Sequence, residues 1–446
     1  MAMDGKELVE KLAKLSQVQS IKDIPQLTHA LFPGTHCPLM GAAMAVGGIK
    51  DSLIVVVGTD ECTYYTKSMT IHSEKFGGID GRCVSVVLDD HDVTFGSAEK
   101  VQESFKEIIE EYRPQCVFLV TTCVIEIIGD DFDAISEGLS EIYGIPVLPV
   151  HTEHFKCEDH LPGLERTITV CAEMMKSCDS DNSVNLLGQR MGDFATTELY
   201  AMLMAFGDGE NDIPMLQKAG VKIGLQLPCG CSVDDIKNAA AAKVNIVVND
   251  IALPLAQKMQ EKFGIPYVYF NKFVIPEKIY EAYKNLFGYL ELELPGELEG
   301  LYQNAREKIE KNKGELEGIT YIYGNTPYAV FEMNCFLSSL GMVPQVIQTN
   351  RYTEADEPYA KEILQYTDPY VCKAANIAPL QYVYDVLSPY LYLGHEFGNR
   401  LRQKGIAIVH SDRASGMLGF EVTGYLLQQL VKSVREAKEY RKELGL

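Results

Sequence analysis

Val117-Phe118-Leu119-Val120-Thr121-Thr122-Cys123 is the stretch that decides the fold of this chain. A short, apolar run rich in β-branched residues is typical of a buried strand in a parallel sheet. The run Leu53 to Val57 repeats this pattern and is followed by Cys62. Because parallel strands place their carboxyl ends at one edge of the sheet, we expect both thiols at the edge where α/β proteins bind ligands.

A third cysteine, Cys37, lies in a loop that contains Gly34 and Pro38 and is able to close over that edge. Three thiolates are one fewer than the usual four of an iron–sulfur cluster, so the missing ligands would come from a second subunit. The chain has 12 cysteines. In a cytosolic protein thiols stay reduced, which favours metal ligation over disulfides. We interpret five of the others as core thiols: Cys83, Cys116, Cys171, Cys178 and Cys335.

The composition narrows the classes of partner. The 446 residues carry 40 Lys and Arg against 62 Asp and Glu, a net charge of −22, which disfavours nucleic acid and anionic membranes as partners. The sequence contains no apolar run of about 18 residues, so we expect no membrane span. The segment Met1 to Glu7 lacks the features of a signal peptide, so we expect a cytoplasmic protein.

Short β-branched runs alternate with longer amphipathic segments, which predicts an α/β fold with mainly parallel sheets. The pattern restarts at Val184 and at Ile319, and a charged helical segment precedes the second restart. We therefore predict three α/β units: residues 1–183 with the candidate cluster cysteines, residues 184–315 with a connector helix, and residues 316–446 with a C-terminal helix.

Three motifs follow one another in a fixed order along the chain. They are Cys37-Pro38-Leu39-Met40-Gly41-Ala42, Gly58-Thr59-Asp60-Glu61-Cys62, and Thr121-Thr122-Cys123-Val124-Ile125-Glu126-Ile127-Ile128-Gly129-Asp130-Asp131. The set resembles the nitrogenase component 1 superfamily, which includes the molybdenum–iron protein subunits, their cofactor-assembly scaffolds and nitrogenase-like reductases. The resemblance covers nearly the whole chain and implies a nitrogenase component 1-like fold of three Rossmann-like units.

The resemblance also implies a cofactor and partners. Cys37, Cys62 and Cys123 correspond to the three cysteines that hold an iron–sulfur cluster, 4Fe-4S or 8Fe-7S, at a subunit interface. The implied partners are a second copy of this chain or a paralogous subunit, and an ATP-dependent iron protein as electron donor. ATP would be used by that protein, because this chain has no GxxxxGK(S/T) phosphate-binding loop.

Two stretches depart from true nitrogenases, in which a cysteine and a histidine hold the large catalytic cluster. The corresponding strand end, Val247-Val248-Asn249-Asp250, has no cysteine, and the corresponding stretch Ser415 to Phe420 has no histidine. We expect that any second metallocluster is held differently or that the substrate is an organic molecule. Dinitrogen reduction by this chain alone is not expected.

Two local groups offer a different site. Cys229 and Cys231 flank a glycine after a predicted strand, either as ligand or redox thiols or as part of a structural turn. His151, His154, Cys157 and His160 follow another strand at spacings of three, either lining a pocket or lying exposed on a loop. We predict that Cys229, Cys231 and His160 face one catalytic pocket between the first and second units. Arg82 and Arg166 are expected in solvent.

Three functions agree with these observations. The first is a subunit of a nitrogenase-like reductase that takes low-potential electrons through the interface cluster and reduces a substrate in that pocket. The second is a scaffold on which a metallocluster is assembled and then transferred, because transient holding needs fewer permanent ligands. The third is a non-catalytic partner subunit that only completes the shared cluster.

Overall fold

The structure, a computed structural model, describes residues 4–27, 36–71, 79, 81–157, 159–189, 216, 219–228, 230–270, 274–324, 330–373, 377–411, 414 and 417–446. The strands are β1 Ala13–Lys14, β2 Ile49–Lys50, β3 Ser52–Gly58, β4 Cys83–Val87, β5 Cys116–Thr121, β6 Val147–Val150, β7 Ser183–Gln189, β8 Lys222–Pro228, β9 Cys231–Ser232, β10 Val244–Val247, β11 Tyr267–Tyr269, β12 Thr320–Gly324, β13 Val343–Gln348, β14 Tyr370–Cys372, β15 Leu391–Gly394 and β16 Ala407–Val409.

The described α-helices are α1 Gly5–Glu10, α2 Pro38–Gly47, α3 Asp60–Ile71, α4 Asp90–Phe95, α5 Ala98–Tyr112, α6 Cys123–Ile128, α7 Phe132–Tyr143, α8 Leu161–Val170, α9 Val233–Lys237, α10 Leu253–Phe263, α11 Pro276–Tyr289, α12 Gly296–Leu316, α13 Val330–Ser339, α14 Glu357–Ile363, α15 Ile377–Leu387, α16 Gly398–Arg402 and α17 Phe420–Leu444. Helix α5 buries Val101, Phe105 and Ile108, which recur at helical spacing.

The described residues form two compact units. The central unit comprises those within 35–271 and 282–293, and the terminal unit those within 1–34, 272–281 and 294–446. The central unit holds two four-stranded sheets, and the terminal unit holds one six-stranded sheet. The predicted α/β fold with mainly parallel sheets is confirmed. The predicted division into three units, with boundaries near residues 183 and 315, stays a prediction.

The two main sheets of the central unit have the same topology. Their strand orders are β4-β3-β5-β6 and β8-β7-β10-β11, and all their strand pairs are parallel. In each sheet the first strand along the chain lies between the second and the third. The chain therefore changes direction across the sheet between β3 and β5, and again between β7 and β10.

The central strands are apolar because both faces of each sheet are covered. Every residue of β3 and β5 is buried. One face of the first sheet packs on α5 and α7 through Val101, Phe105 and Leu139. The other face shares a core with α2, α8 and the second sheet. Continuous apolar runs are expected for strands covered on both faces.

In the terminal unit, the sheet has the order β1-β14-β13-β12-β15-β16. The pairing of β1 with β14 is antiparallel, and the other pairs are parallel. The long helix α17 packs on β16 and α12, and buries an apolar stripe that includes Val422, Leu426 and Leu430. This spacing of four matches one face of a helix.

Candidate metal centre

The three predicted ligand cysteines each lie where a loop becomes a helix. Cys37 is the N-cap residue of α2, whose first residue is Pro38. Cys62 lies in the first turn of α3, and Cys123 is the first residue of α6. Proline at the first helical position is favoured because its missing N–H is not needed there. All three thiols are half-buried, so they are accessible to a ligand without being fully solvated.

The strand order brings two of these cysteines together. β3, which precedes Cys62, pairs directly with β5, which precedes Cys123. The chain changes direction across the first sheet between these two strands, and open α/β sheets bind ligands at such a point. The expectation that Cys62 and Cys123 lie at one sheet edge therefore agrees with the strand pairing.

The two strand ends are tied to each other. The Thr122 hydroxyl donates to the carbonyl oxygen of Val57 at 2.9 Å. Gly58 has a φ of 156°, and a Cβ at this position would lie 2.0 Å from Thr122 Oγ1. Glycine is therefore required here, both by the backbone conformation and by the close approach.

The thiols influence one another electrostatically. Burial raises the pKa of the Cys123 thiol above its ordinary value, and the nearby charges of Cys62 and Cys37 raise it further. The Thr59 hydroxyl donates to Cys62 Sγ at 3.5 Å. Clustered thiolates repel one another, and iron cations would offset that repulsion. The donor set therefore fits an iron–sulfur cluster, for which thiolates are the preferred ligands.

Cys37, Cys62 and Cys123 do not form a site for a single metal ion in the part of the chain that the structure describes. Over the described ranges, no three His, Cys, Asp or Glu side chains converge closely enough to hold a single ion. In a multi-iron cluster the thiolates bind different iron atoms, so they are spaced more widely than around one ion.

Helix α2, which begins after Cys37, packs closely on α8. A Cβ at Gly41 would lie 1.9 Å from the carbonyl oxygen of His160, and a Cβ at Gly163 would lie 1.8 Å from that of Pro38. The rings of His36 and His160 meet edge to face, with centroids 6.4 Å apart. His160 is therefore placed beside the loop that carries Cys37.

Of the three residues predicted to share a catalytic pocket, the structure describes Cys231 and His160, and Cys231 lies in the apolar core. Cys231 is 2% exposed and lies in the apolar core, because β9 pairs with β2 and sets it opposite Ile49. It lies near Cys171, whose pKa is raised well above the ordinary thiol value by burial and then by the charges of Cys116 and Cys231. Cys229 lies outside the described residues. The catalytic roles of His160, Cys229 and Cys231 stay predictions.

The histidine and cysteine side chains of the loop after β6 also have different surroundings. His151 lines a cavity of about 350 Å³ together with Glu126, Glu153 and Phe155. Cys157 instead contacts the carbonyl oxygen of Thr152 and the Arg166 guanidinium. His154 is exposed. The four residues of this group therefore do not line one surface.

Sequence reasoning missed three charged residues that form hydrogen bonds to the backbone of other segments of the central unit. Glu126 accepts hydrogen bonds from Thr121 and from the loop after β6. Arg82 was expected in solvent, but it donates to the carbonyl oxygens of Gly47 and Ile49 at the end of α2. Arg166, also expected in solvent, donates to the carbonyl oxygens of His151 and Thr152. The only sequence signal was the position of Glu126 within the third motif.

The strand end where nitrogenases carry a cofactor cysteine has a structural residue here. Asn249 follows β10, at the point where the chain changes direction across the second sheet. Its side-chain oxygen accepts from the backbone N–H of Ile251 at 3.2 Å, and the residue is 8% exposed. A Cβ at Gly188, near the end of β7, would lie 2.9 Å from the Cβ of Asn249. Asn249 therefore caps the turn that begins α10 and packs against the neighbouring strand.

The chain belongs to the nitrogenase component 1 family. The family profile described as nitrogenase component 1 type oxidoreductase matches residues 37–435. The solved structure titled "Nitrogenase Cp1 at pH 6.5" superposes with a TM-score of 0.73 at 15% identity, covering 93% of this chain and 95% of that one. The predicted nitrogenase component 1-like fold is therefore confirmed, and family membership implies iron–sulfur chemistry.

Several curated relatives are cofactor biosynthesis proteins. The chain is 32% identical over 239 residues to the nitrogenase iron-molybdenum cofactor biosynthesis protein NifE of Clostridium pasteurianum, covering 52% of this chain and 49% of that protein. It is 24% identical to NifE of Rippkaea orientalis, covering 74% and 69%. It is also 24% identical to the nitrogenase molybdenum-iron protein alpha chain of Methanosarcina barkeri, covering 73% and 62%. The chain thus spans about half to two thirds of the length of these relatives.

Among the helices of the described chain, none combines the length and the apolar character that a membrane span requires.

Proposed function

We propose that this chain is a subunit of a scaffold on which a metallocluster is assembled and from which it is then transferred to an acceptor protein. Cys37, Cys62 and Cys123 would hold a resident iron–sulfur cluster. The observation that carries the proposal is a contrast between two sheet edges of the central unit. The first sheet has cysteines at its switch point, whereas the second has the structural residue Asn249.

A cluster in transit is cargo, and it must be released. A permanent thiolate ligand slows release, because the iron–sulfur bond has to break before the cargo leaves. With Asn249 at the strand end, the carboxamide oxygen is already engaged by Ile251 N–H. Similarity to proteins named for cofactor biosynthesis supports the same function.

The resident cluster depends on residues of the first sheet. When bound, an iron–sulfur cluster supplies one-electron redox chemistry. Cys62 and Cys123 offer thiolates from adjacent strand ends, and the Thr59 hydroxyl donates to the Cys62 sulfur, an interaction that tunes thiolate ligands. The remaining ligands would come from a partner subunit, either a second copy of this chain or a paralogue.

A reductase subunit is the competing function. Similarity to a nitrogenase molybdenum-iron protein alpha chain supports it. This function requires an ATP-dependent iron protein as electron donor and a substrate held near the cluster. Of the predicted pocket residues, Cys231 does not favour this function, because it is buried in the apolar core.

The two functions differ in what is released. The protein should be purified without oxygen, alone and together with a co-expressed paralogue, and loaded with an iron–sulfur precursor cluster. Transfer of radiolabelled iron to a cofactor-free acceptor protein, without ATP-dependent substrate turnover, is the expected result. Multiple turnovers with an iron protein and ATP, with the label retained, would establish the reductase instead.

A pair of variants tests the role of the second-sheet edge. Asn249→Cys adds a thiolate where nitrogenases have one, so we expect slower transfer of label. Asn249→Ala removes the same cap without adding a ligand and is the matched control. Equal transfer rates for the two variants would contradict the proposal that a missing thiolate permits release.

A further inference from the structure

We propose that Glu126 is a positioning residue for the ligand Cys123. Its carboxylate ties the first turns of α6 to the loop after β6, and this tie sets the orientation of the Cys123 thiolate toward the cluster. The inference rests on the proposed resident cluster. In this proposal Glu126 binds no iron itself but determines how the iron ligand Cys123 is held.

The carboxylate is the meeting point of four donors. Its Oε1 accepts from the Thr121 hydroxyl at 2.8 Å, from the Thr152 hydroxyl at 3.1 Å and from the backbone N–H of Glu153 at 2.5 Å. Its Oε2 accepts from the backbone N–H of His154 at 3.2 Å. Backbone N–H groups are only donors, so an ionised carboxylate, which is only an acceptor, is the matching group.

The loop that Glu126 holds has an unfavourable backbone. Glu153 has a φ of 44°, a conformation that residues other than glycine rarely adopt. Such a conformation is energetically unfavourable and persists only when the surroundings hold it. The hydrogen bond from Glu153 N–H to Glu126 is one such restraint. The ion pair from Arg166 to the Glu153 carboxylate is another.

The same interactions bracket Cys123 along the chain. Thr121, two residues before Cys123, accepts from the backbone N–H of Thr152 at 3.1 Å while donating to Glu126. Glu126, three residues after Cys123, binds the next part of the same loop. On the other side, Thr122 is tied to β3 through Val57. The backbone at Cys123 is therefore held between the end of β3 and the loop after β6.

A shift of the loop would consequently be transmitted to the sulfur. Charge-assisted hydrogen bonds to a partly buried carboxylate are stronger than neutral ones. Outer-shell partners of metal ligands commonly alter the properties of a site without removing the metal. We therefore expect the tie to affect the electronic properties of the cluster more than its occupancy.

Two variants test the tie. Glu126→Gln keeps the shape but places an amide among N–H donors, and Thr152→Val keeps the β-branched shape while removing one hydroxyl donor. Glu137→Gln, at an exposed position on α7, is the control. Hydrogen–deuterium exchange of the cluster-free protein should show faster exchange at residues 153–154 in Glu126→Gln. Iron content, the electron paramagnetic resonance spectrum and the midpoint potential are then measured on the anaerobic protein.

The expected result is a displaced spectrum and a shifted potential in both variants, with iron content near wild type and the control unchanged. A wild-type spectrum and potential in either variant would overturn the positioning role. If Glu126→Gln does not fold, Thr152→Val decides alone. Wild-type protein that binds no iron would instead refute the proposed cluster, which separates that failure from failure of the positioning role.

Discussion

Gly58 and Thr122 meet where β3 and β5 end: a Cβ on Gly58 would lie 2.0 Å from the Thr122 hydroxyl oxygen. That hydroxyl donates to the carbonyl oxygen of Val57 at 2.9 Å. The two loops that carry Cys62 and Cys123 are thus held together by one hydrogen bond and by the lack of a side chain at Gly58. Cluster binding should depend on this contact as well as on the thiols themselves.

Gly58→Ala should separate these loops. The added methyl group would clash with the Thr122 side chain. The φ of 156° at Gly58 also disfavours any L side chain. We expect a loss of about 1–3 kcal/mol in the free energy of unfolding, together with reduced iron content. Urea unfolding and iron analysis of the anaerobic protein measure these effects.

Gly138→Ala is the matched control for that variant. Gly138 lies in α7, and a Cβ there would meet no atom within 4 Å. Alanine is favoured over glycine inside a helix by about 0.5–1 kcal/mol, so this variant should be at least as stable as wild type and keep its iron. Full iron content in Gly58→Ala would contradict the importance of the Gly58 contact.

Cys62→Ala and Cys123→Ala should each lose the cluster, because each change removes a thiolate from a site that needs its full ligand set. Iron analysis and the visible absorption of the anaerobic protein measure the loss. Cys83→Ala and Cys335→Ala are controls, since these thiols are buried, at 7% and 1% exposed. Burial raises their pKa values to about 11 and about 12, which keeps them protonated. Unchanged iron in both ligand variants would refute the assignment.

Gly163→Ala should move α8 away from the N-terminus of α2. The new Cβ would lie 1.8 Å from the carbonyl oxygen of Pro38, which adjoins Cys37. Overpacking of this kind typically costs about 1–3 kcal/mol, and displacement of Cys37 should reduce iron content. Thermal unfolding and iron analysis test both effects. Gly288→Ala, in α11 with no atom within 4 Å of its Cβ position, should leave both quantities close to wild type.

Glu332 should make the terminal unit less stable as the pH rises toward neutrality. It is 3% exposed on α13, and its carboxylate accepts from the Tyr359 hydroxyl at 3.1 Å. Burial raises its pKa from 4.5 to about 7, although Lys278 and Tyr359 oppose the rise. The folded state therefore binds a proton more tightly than the unfolded state. The resulting stability is fully present below about pH 4.5 and is lost as the pH rises through about 7.

Glu332→Gln tests this dependence, because an amide does not titrate. As the pH rises over this range, wild type should lose unfolding free energy relative to Glu332→Gln, by at most about 3 kcal/mol. Urea unfolding at several pH values gives the difference. Glu354→Gln, at an exposed position, should keep the wild-type pH slope. An unchanged slope in Glu332→Gln would show that the carboxyl does not titrate in this range.

Several features could be predicted from local pattern. The bounds of α5 follow from apolar residues at helical spacing, and β5 follows from an uninterrupted apolar run. The sequence predicts Cys123 at a strand end because it directly follows that run. The positions of Cys231 and His160 could not be predicted in this way. Cys231 is buried by the pairing of β9 with β2, two segments that are far apart in the chain.

The contacts of Glu126 and Glu332 also depend on distant segments. Glu126 binds residues 152–154, and Glu332 binds Tyr359. Neither carboxylate differs, by composition or spacing, from the exposed acidic residues that give the chain its charge of −22. Which acidic side chains become buried is decided by helix packing.

The amino-acid sequence by itself determined the α/β class, the family resemblance and the three cysteines, because strand runs and motif order are local properties. The tertiary structure decided which strands are neighbours, and therefore that β3 and β5, the strands that precede Cys62 and Cys123, end side by side at the switch point. It also decided the close approaches at Gly41, Gly58 and Gly163. Those contacts depend on the relative positions of separate elements, which are set by packing of the whole core and not by any single stretch of chain.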